Sequence, residues 1–136
     1  MSHQDVENIH IICTDPRIQK FYHDWLEQNN LWGKFDTIKH ENPILSFLDP
    51  KSKDIYLERI GNYIKLHNPK KIILIDHTNC GAYNLYGYNF TDLENELSIH
   101  HVNNKKVVDL IAQSYPNFKF EIKTIIIGAN DECHWL

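Results

Sequence analysis

The 136-residue sequence predicts an α/β fold with a mostly parallel central sheet and helices on both faces. Apolar β-branched runs alternate with stretches of helical periodicity, and the connections between them are short. The clearest run, residues 71–75 (KIILI), is apolar throughout once past the lysine, as expected of a parallel strand covered on both sides.

Residues 8–14 (NIHIICT) read as a buried strand that stops at Asp15-Pro16. Asp15 suits the N-cap and Pro16 the first helical position, and Ile18, Phe21, Tyr22, Trp25 and Leu26 recur at helical spacing as far as Gln28. Asn29 and Asn30 then end the helix. Residues 35–39 form a weaker strand, followed by a polar loop punctuated by Pro43 and Pro50. Ile55, Ile60, Tyr63 and Ile64 mark a second helix that stops near His67-Asn68-Pro69, because proline biases its predecessor out of helical geometry.

The central strand then runs into Asp76-His77-Thr78-Asn79-Cys80-Gly81. Thr91 and Glu94 have the spacing of a capping box for a long helix carrying Leu97, Val107, Leu110 and Ile111, which ends near Pro116. A last strand covers residues 120–127. If the first and third strands are neighbours, their carboxyl ends flank a topological switch point, the place where open α/β sheets bind ligands.

Bulk properties narrow the classes of function. The length suits one domain, residues 1–136. No apolar run approaches the roughly 20 residues of a membrane span, and the first residues lack a secretory pattern. The expected location is the cytoplasm, where thiols stay reduced, so the three cysteines do not read as a disulfide framework. A net charge of −4 with interspersed signs offers no basic stripe for nucleic acid.

Cys13, His77 and Cys80 are the ligand types that zinc prefers, and three protein ligands leave a fourth position for water. Two of them sit on a turn after one strand and the third at the end of another. Residues two apart in an extended segment share a face, so Asp15 points with Cys13, and Arg17 follows within reach of its carboxylate. Taken singly, each has a structural reading: Asp15 caps a helix and Cys13 fills a core. His100 and His101 are adjacent on a helix, point about 100° apart and read as a solvated face or a helix contact. His40 reads as a surface loop histidine or a proton shuttle at the site mouth, Tyr83, Tyr86 and Tyr88 as aromatic packing or the wall of a pocket or subunit contact, and Cys133-His134-Trp135 lacks metal partners at useful spacing.

Cys13-Thr14-Asp15-Pro16-Arg17 resembles the Cys-x-Asp-x-Arg motif of β-carbonic anhydrases, and His77-Thr78-Asn79-Cys80-Gly81 resembles their His-x-x-Cys-Gly motif, in the same order. Cys80 to Tyr83 (Cys-Gly-Ala-Tyr) is similar to a short bacterial branch of such proteins. The resemblance implies zinc held by Cys13, His77 and Cys80. Asp15 would pair with Arg17 when water fills the fourth site, or bind zinc itself in a closed state. It implies reversible hydration of carbon dioxide to bicarbonate through a zinc-bound hydroxide, and a homodimer or higher homo-oligomer. Two readings stand beside it: a zinc hydrolase of another small electrophile, such as a sulfur analogue of carbon dioxide, and a catalytically silent zinc-binding protein. The family's Arg-Asn-Ala-Gly-Asn segment has no evident counterpart here, where residues 38–43 (IKHENP) lie near its expected place, and Cys13 lies close to the start of the sequence, where the resemblance leads one to expect an extended N-terminal helical arm.

Overall fold

Parallel pairing carries most of the architecture. The computed structural model describes residues 6–136, and the described residues form β1 (Asn8–Cys13), α1 (Pro16–Gln28), β2 (Phe35–His40), α2 (Pro43–Leu48), α3 (Lys53–His67), β3 (Lys71–His77), α4 (Gly81–Leu85), α5 (Leu93–Ser114), β4 (Lys119–Ile127) and β5 (Cys133–Trp135). The strands make one sheet in the order β2-β1-β3-β4-β5. β1 pairs in parallel with both β2 and β3, β3 pairs in parallel with β4, and β5 alone runs antiparallel. The chain therefore winds outward in both directions from the β1/β3 pair, which is the expected switch point.

Alternation along the strands builds two cores. Ile9 and Ile11 of β1, with Ile72 and Leu74 of β3, pack against Ile44 and Phe47 of α2, Ile60 of α3, and Val107 and Ile111 of α5. Ile12, Ile73 and Ile75 face the other way, onto Ile18, Tyr22 and Leu26 of α1. β1 and β3 are thus covered on both faces, which is why their sequences read as unbroken apolar runs.

Caps explain the helix starts. The Asp15 side chain accepts the Arg17 N–H at 2.9 Å and Pro16 occupies the first turn of α1. Three sequence expectations change. The expected loop between Pro43 and Pro50 contains α2, because Asn42 caps it through the Leu45 N–H and Pro43 begins it, while Ile44, Leu45 and Phe47 bury. The cap of α5 is Asp92, which accepts the Asn95 N–H at 2.8 Å; Thr91 instead donates its own N–H to the Asn95 side chain. β3 also continues through His77, placing that residue at the strand end, before the turn. No helix among the described residues is long and apolar enough to cross a membrane.

Candidate metal centre

Cys13 is the last residue of β1 and His77 the last of β3, so two adjacent parallel strands deliver a sulfur and an imidazole to the same end of the sheet. The chain then turns sharply. Thr78 is anchored on both sides to β4, its N–H donating to the Ile125 carbonyl at 3.0 Å and its hydroxyl accepting the Ile127 N–H at 2.9 Å. Asn79 adopts φ +54°, a left-handed conformation that asparagine tolerates better than most residues. That reversal brings Cys80, at the start of α4, back toward His77.

One donor atom from each of Cys13, His77 and Cys80 lies within 4.8 Å of the others, and all three residues are buried. The two sulfurs are 4.0 Å apart, against about 3.8 Å for two thiolates bound at about 2.3 Å to a tetrahedral zinc. His77 Nδ1 lies 2.8 Å from the Thr78 carbonyl, which leaves Nε2 as the free lone pair. That Nε2 is buried and has no hydrogen-bond partner among the described residues, an arrangement costly in a dry core and suited to a metal ligand. The donor set, the sulfur spacing and the orphaned imidazole nitrogen all fit a zinc ion.

The sulfurs are tuned by what touches them. The Cys80 thiol, hydrogen-bonding to Cys13, lowers the Cys13 thiol; burial works against this, and His77 and the Asn42 N–H add to it. The same contact with Cys13, together with burial, raises Cys80. The pair gives up one proton readily and holds the other, until a cation displaces it. Burial disfavours charge on His77, but the Cys13 sulfur, the Thr78 carbonyl and Asp15 outweigh it and raise its pKa.

Asp15 and Arg17 stand beside this group as a bidentate pair. Arg17 Nε reaches Oδ1 at 3.0 Å and Nη2 reaches Oδ2 at 2.7 Å. Arg17 hydrogen bonding lowers the Asp15 carboxyl further below the usual carboxylate range than burial can raise it. Asp15 Oδ2 is 3.9 Å from His77 Nε2. Gln19 clamps the connecting turn by donating to the Cys13 carbonyl at 3.0 Å and the Asp15 carbonyl at 2.8 Å.

The fold thus brings together all five residues singled out in the sequence. His40, expected in a loop, instead ends β2 as the register partner of Cys13, with its ring stacked on Tyr56 at 4.7 Å between centroids, and His101 is exposed on α5. His100 is buried against Asp76, and Cys133 packs against the cluster that contains Cys13 and Cys80, 3.5 Å from the Arg17 carbonyl, without joining the three converging donors. One further residue touches both sulfurs without any metal-ligand signal in the sequence. Asn42 donates its backbone N–H to Cys13 Sγ at 3.4 Å and its side-chain amide to Cys80 Sγ at 3.5 Å. Its sequence signal was Asn-Pro before the apolar PILSFL, which is a helix start.

No protein-family model matches the sequence. An uncharacterized protein of Rickettsia conorii is 29% identical over 124 residues, covering 87% of this chain, and the chain spans 65% of that relative's length. Among solved structures, a tetrameric β-carbonic anhydrase of the filamentous ascomycete Sordaria macrospora superimposes with a TM-score of 0.58 at 14% identity, over 98% of this chain and 81% of its own. A β-carbonic anhydrase of Aspergillus fumigatus gives a TM-score of 0.46 at 17% identity, over 98% and 76%. The Sordaria likeness is one of fold: this chain has the α/β architecture of β-carbonic anhydrases.

Proposed function

We propose that the chain holds zinc through Cys13, His77 and Cys80 and catalyses the reversible hydration of carbon dioxide to bicarbonate, with Asp15 and Arg17 as its catalytic pair. The observation that carries this reading is the convergence of two sulfurs and an unpartnered imidazole nitrogen at the switch point, beside a carboxylate already held by a guanidinium. Zinc, when bound there, supplies the Lewis acidity that brings the pKa of water down to about 7.

The chain's own residues do the rest. Arg17 keeps Asp15 ionised and turned so that Oδ2 faces His77 Nε2. An acceptor in that position takes a hydrogen bond from the reacting water and orients its lone pair toward carbon dioxide. Engagement with Arg17 also keeps the carboxylate from taking the fourth ligand position itself. Two thiolates cancel the formal charge of a divalent ion, so such neighbours have a large share in setting how acidic the site is.

The same reading includes a homo-oligomer, supported by the tetrameric assembly described for the Sordaria protein. A reducing compartment such as the cytoplasm keeps both thiols available.

The test is stopped-flow proton release on mixing zinc-loaded protein with carbon dioxide at about pH 8, near the acidity of zinc-activated water. A rate proportional to protein and abolished in Cys80→Ser is expected. No rate above buffer rejects hydration and leaves a metal-holding protein, whereas turnover of a sulfur analogue alone moves the assignment to a different small electrophile.

A further inference from the structure

Beneath the metal turn lies a row of buried charges that the reaction itself does not use. Asp76, 6% exposed, accepts from Thr124 Oγ1 at 2.6 Å and Asn104 Nδ2 at 2.9 Å, and its Oδ2 lies 2.8 Å from His100 Nδ1. On the other side of the His100 ring, Glu96 Oε2 stands 3.3 Å from Nε2, an ion-pair distance without the alignment of a good hydrogen bond. The same Glu96 oxygen accepts the backbone N–H of Asn79 at 2.6 Å. The Asn79 carbonyl in turn accepts from Arg17 Nη2 at 2.8 Å, the nitrogen that also holds Asp15. The backbone of one residue is therefore gripped from α5 on one side and by the catalytic pair on the other.

A glutamate in the first turn of a helix is ordinarily a surface group that favours the helix dipole. Glu96 departs from that role. It is 7% exposed, and the capping of α5 is already supplied by Asp92. Burying a carboxylate beside a second one is costly, and buried ion pairs seldom return more stability than a well-packed apolar set. What this group does accomplish is geometric: it fixes the left-handed Asn79, on whose conformation depends whether His77 and Cys80 face one point. His100 supports the arrangement as a cation. Burial disfavours its charge, but Asp76 and Glu96 override this and raise its pKa to about 9.

Resting on the metal reading above, we propose that Glu96 is a positioning residue of the metal centre, held by the Asp76–His100 pair, which sets the Asn79 turn and through it the Arg17–Asp15 pair. It acts through the backbone and touches neither metal nor substrate.

The experiment replaces zinc by Co2+, whose visible spectrum reports ligand geometry and whose thiolate bands report the sulfurs. Wild type, Glu96→Ala, Glu96→Gln and Ile111→Val are titrated with Co2+, and their melting temperatures are measured in parallel. Ile111→Val perturbs the core farther along the same helix, away from the turn. Glu96→Ala is expected to weaken Co2+ binding roughly 10- to 100-fold and to shift the d–d bands. Glu96→Gln, which retains an acceptor for the Asn79 N–H, recovers most of the affinity. Ile111→Val lowers the melting temperature without moving the spectrum. Wild-type affinity and spectrum in Glu96→Ala would overturn the inference alone, as would an equal loss of affinity in Ile111→Val. A wild-type protein with no thiolate-to-cobalt band would overturn the metal reading and this inference with it.

Discussion

The sulfurs of Cys13 and Cys80 lie 4.0 Å apart across 67 residues of sequence. They come from the ends of different segments, and only the parallel pairing of β1 with β3 makes them neighbours. Two thiols buried together with an imidazole gain little from one another, since at that separation one retains its proton against the other's charge. A shared cation removes the conflict.

Protein expressed with ample zinc and never exposed to chelator is therefore expected to carry about one zinc per chain by elemental analysis. Cys80→Ser should lose nearly all of it. Stripping the metal should lower the melting temperature by roughly 15 °C, the shift produced when a ligand at about a thousand times its dissociation constant is removed from a domain of this size. Absence of stoichiometric metal from such a preparation would sink the assignment.

Asn42 separates stability from metal affinity. Its φ is +38°, its side chain caps α2 through the Leu45 N–H, and its amide reaches the Cys80 sulfur. Glycine takes the left-handed backbone without strain and costs only a few tenths of a kcal/mol as a cap, whereas alanine loses about 1 kcal/mol from the cap and about as much again from strain. Asn42→Gly should keep nearly wild-type stability yet bind zinc about tenfold more weakly, because the sulfur loses its donor. Asn42→Ala should show both defects, with a loss of roughly 2 kcal/mol in urea unfolding. Unchanged affinity in Asn42→Gly would confine the residue to helix capping.

Arg17 and Asp15 make a more demanding test, because the two substitutions should affect the metal in opposite ways. Arg17→Ala removes both side-chain bonds that hold the carboxylate, so Asp15 is free to move onto zinc. X-ray absorption should then show one added oxygen ligand at about 2.0–2.2 Å. Asp15→Asn keeps an acceptor for the Arg17 N–H but loses the charge, and turnover should fall roughly 10- to 100-fold with zinc occupancy little changed. If Asp15→Asn loses as much metal as Cys80→Ser, Asp15 is a ligand of the resting site and the pairing argument is wrong.

These residues differ in how much of them could be read beforehand, and the difference is physical. The end of β1, Asp15 and the start of α1 are one local strand-turn-helix unit, where proline, a short polar cap and apolar period all act within a few residues. β3 was equally plain because burial on both faces demands an unbroken apolar run. α2 is not, since its six residues are too few to display a helical period and Pro43 at its start and Pro50 beyond its end look like loop punctuation; burial of Ile44, Leu45 and Phe47 decides it. α4 and β5, at five and three residues, are likewise fixed by their surroundings rather than by their own sequence. Asn42 and Glu96 carry no signal of their own for a related reason: their contacts run to residues 38 and 17 positions away, and neither stands at a spacing from other ligand types that marks a metal site.

The α1 face of the sheet offers a prediction that depends on pH. His10 on β1 is wholly buried, stacked on Phe35 with ring centroids 4.3 Å apart, and shares a 2.6 Å hydrogen bond with the Tyr22 hydroxyl. Burial lowers its pKa from 6.5 to about 4, while Glu121 pulls it upward and Lys71 pushes it down. The unfolded chain therefore binds a proton in the interval between those two values that the folded chain refuses. Stability is fully present above about pH 6.5 and falls as the solution is acidified toward pH 4, by up to roughly 3 kcal/mol from this residue. Urea unfolding of metal-free protein at steps from pH 7 to 4 measures the slope without the proton release of zinc binding. The double variant His10→Phe/Tyr22→Phe makes both partners apolar, so no buried hydroxyl is left unpaired. Its stability should fall less steeply across that interval than that of the wild type, even if the two differ at pH 7. Parallel slopes would mean that His10 is protonated in the folded protein and that the acid sensitivity of the fold resides elsewhere.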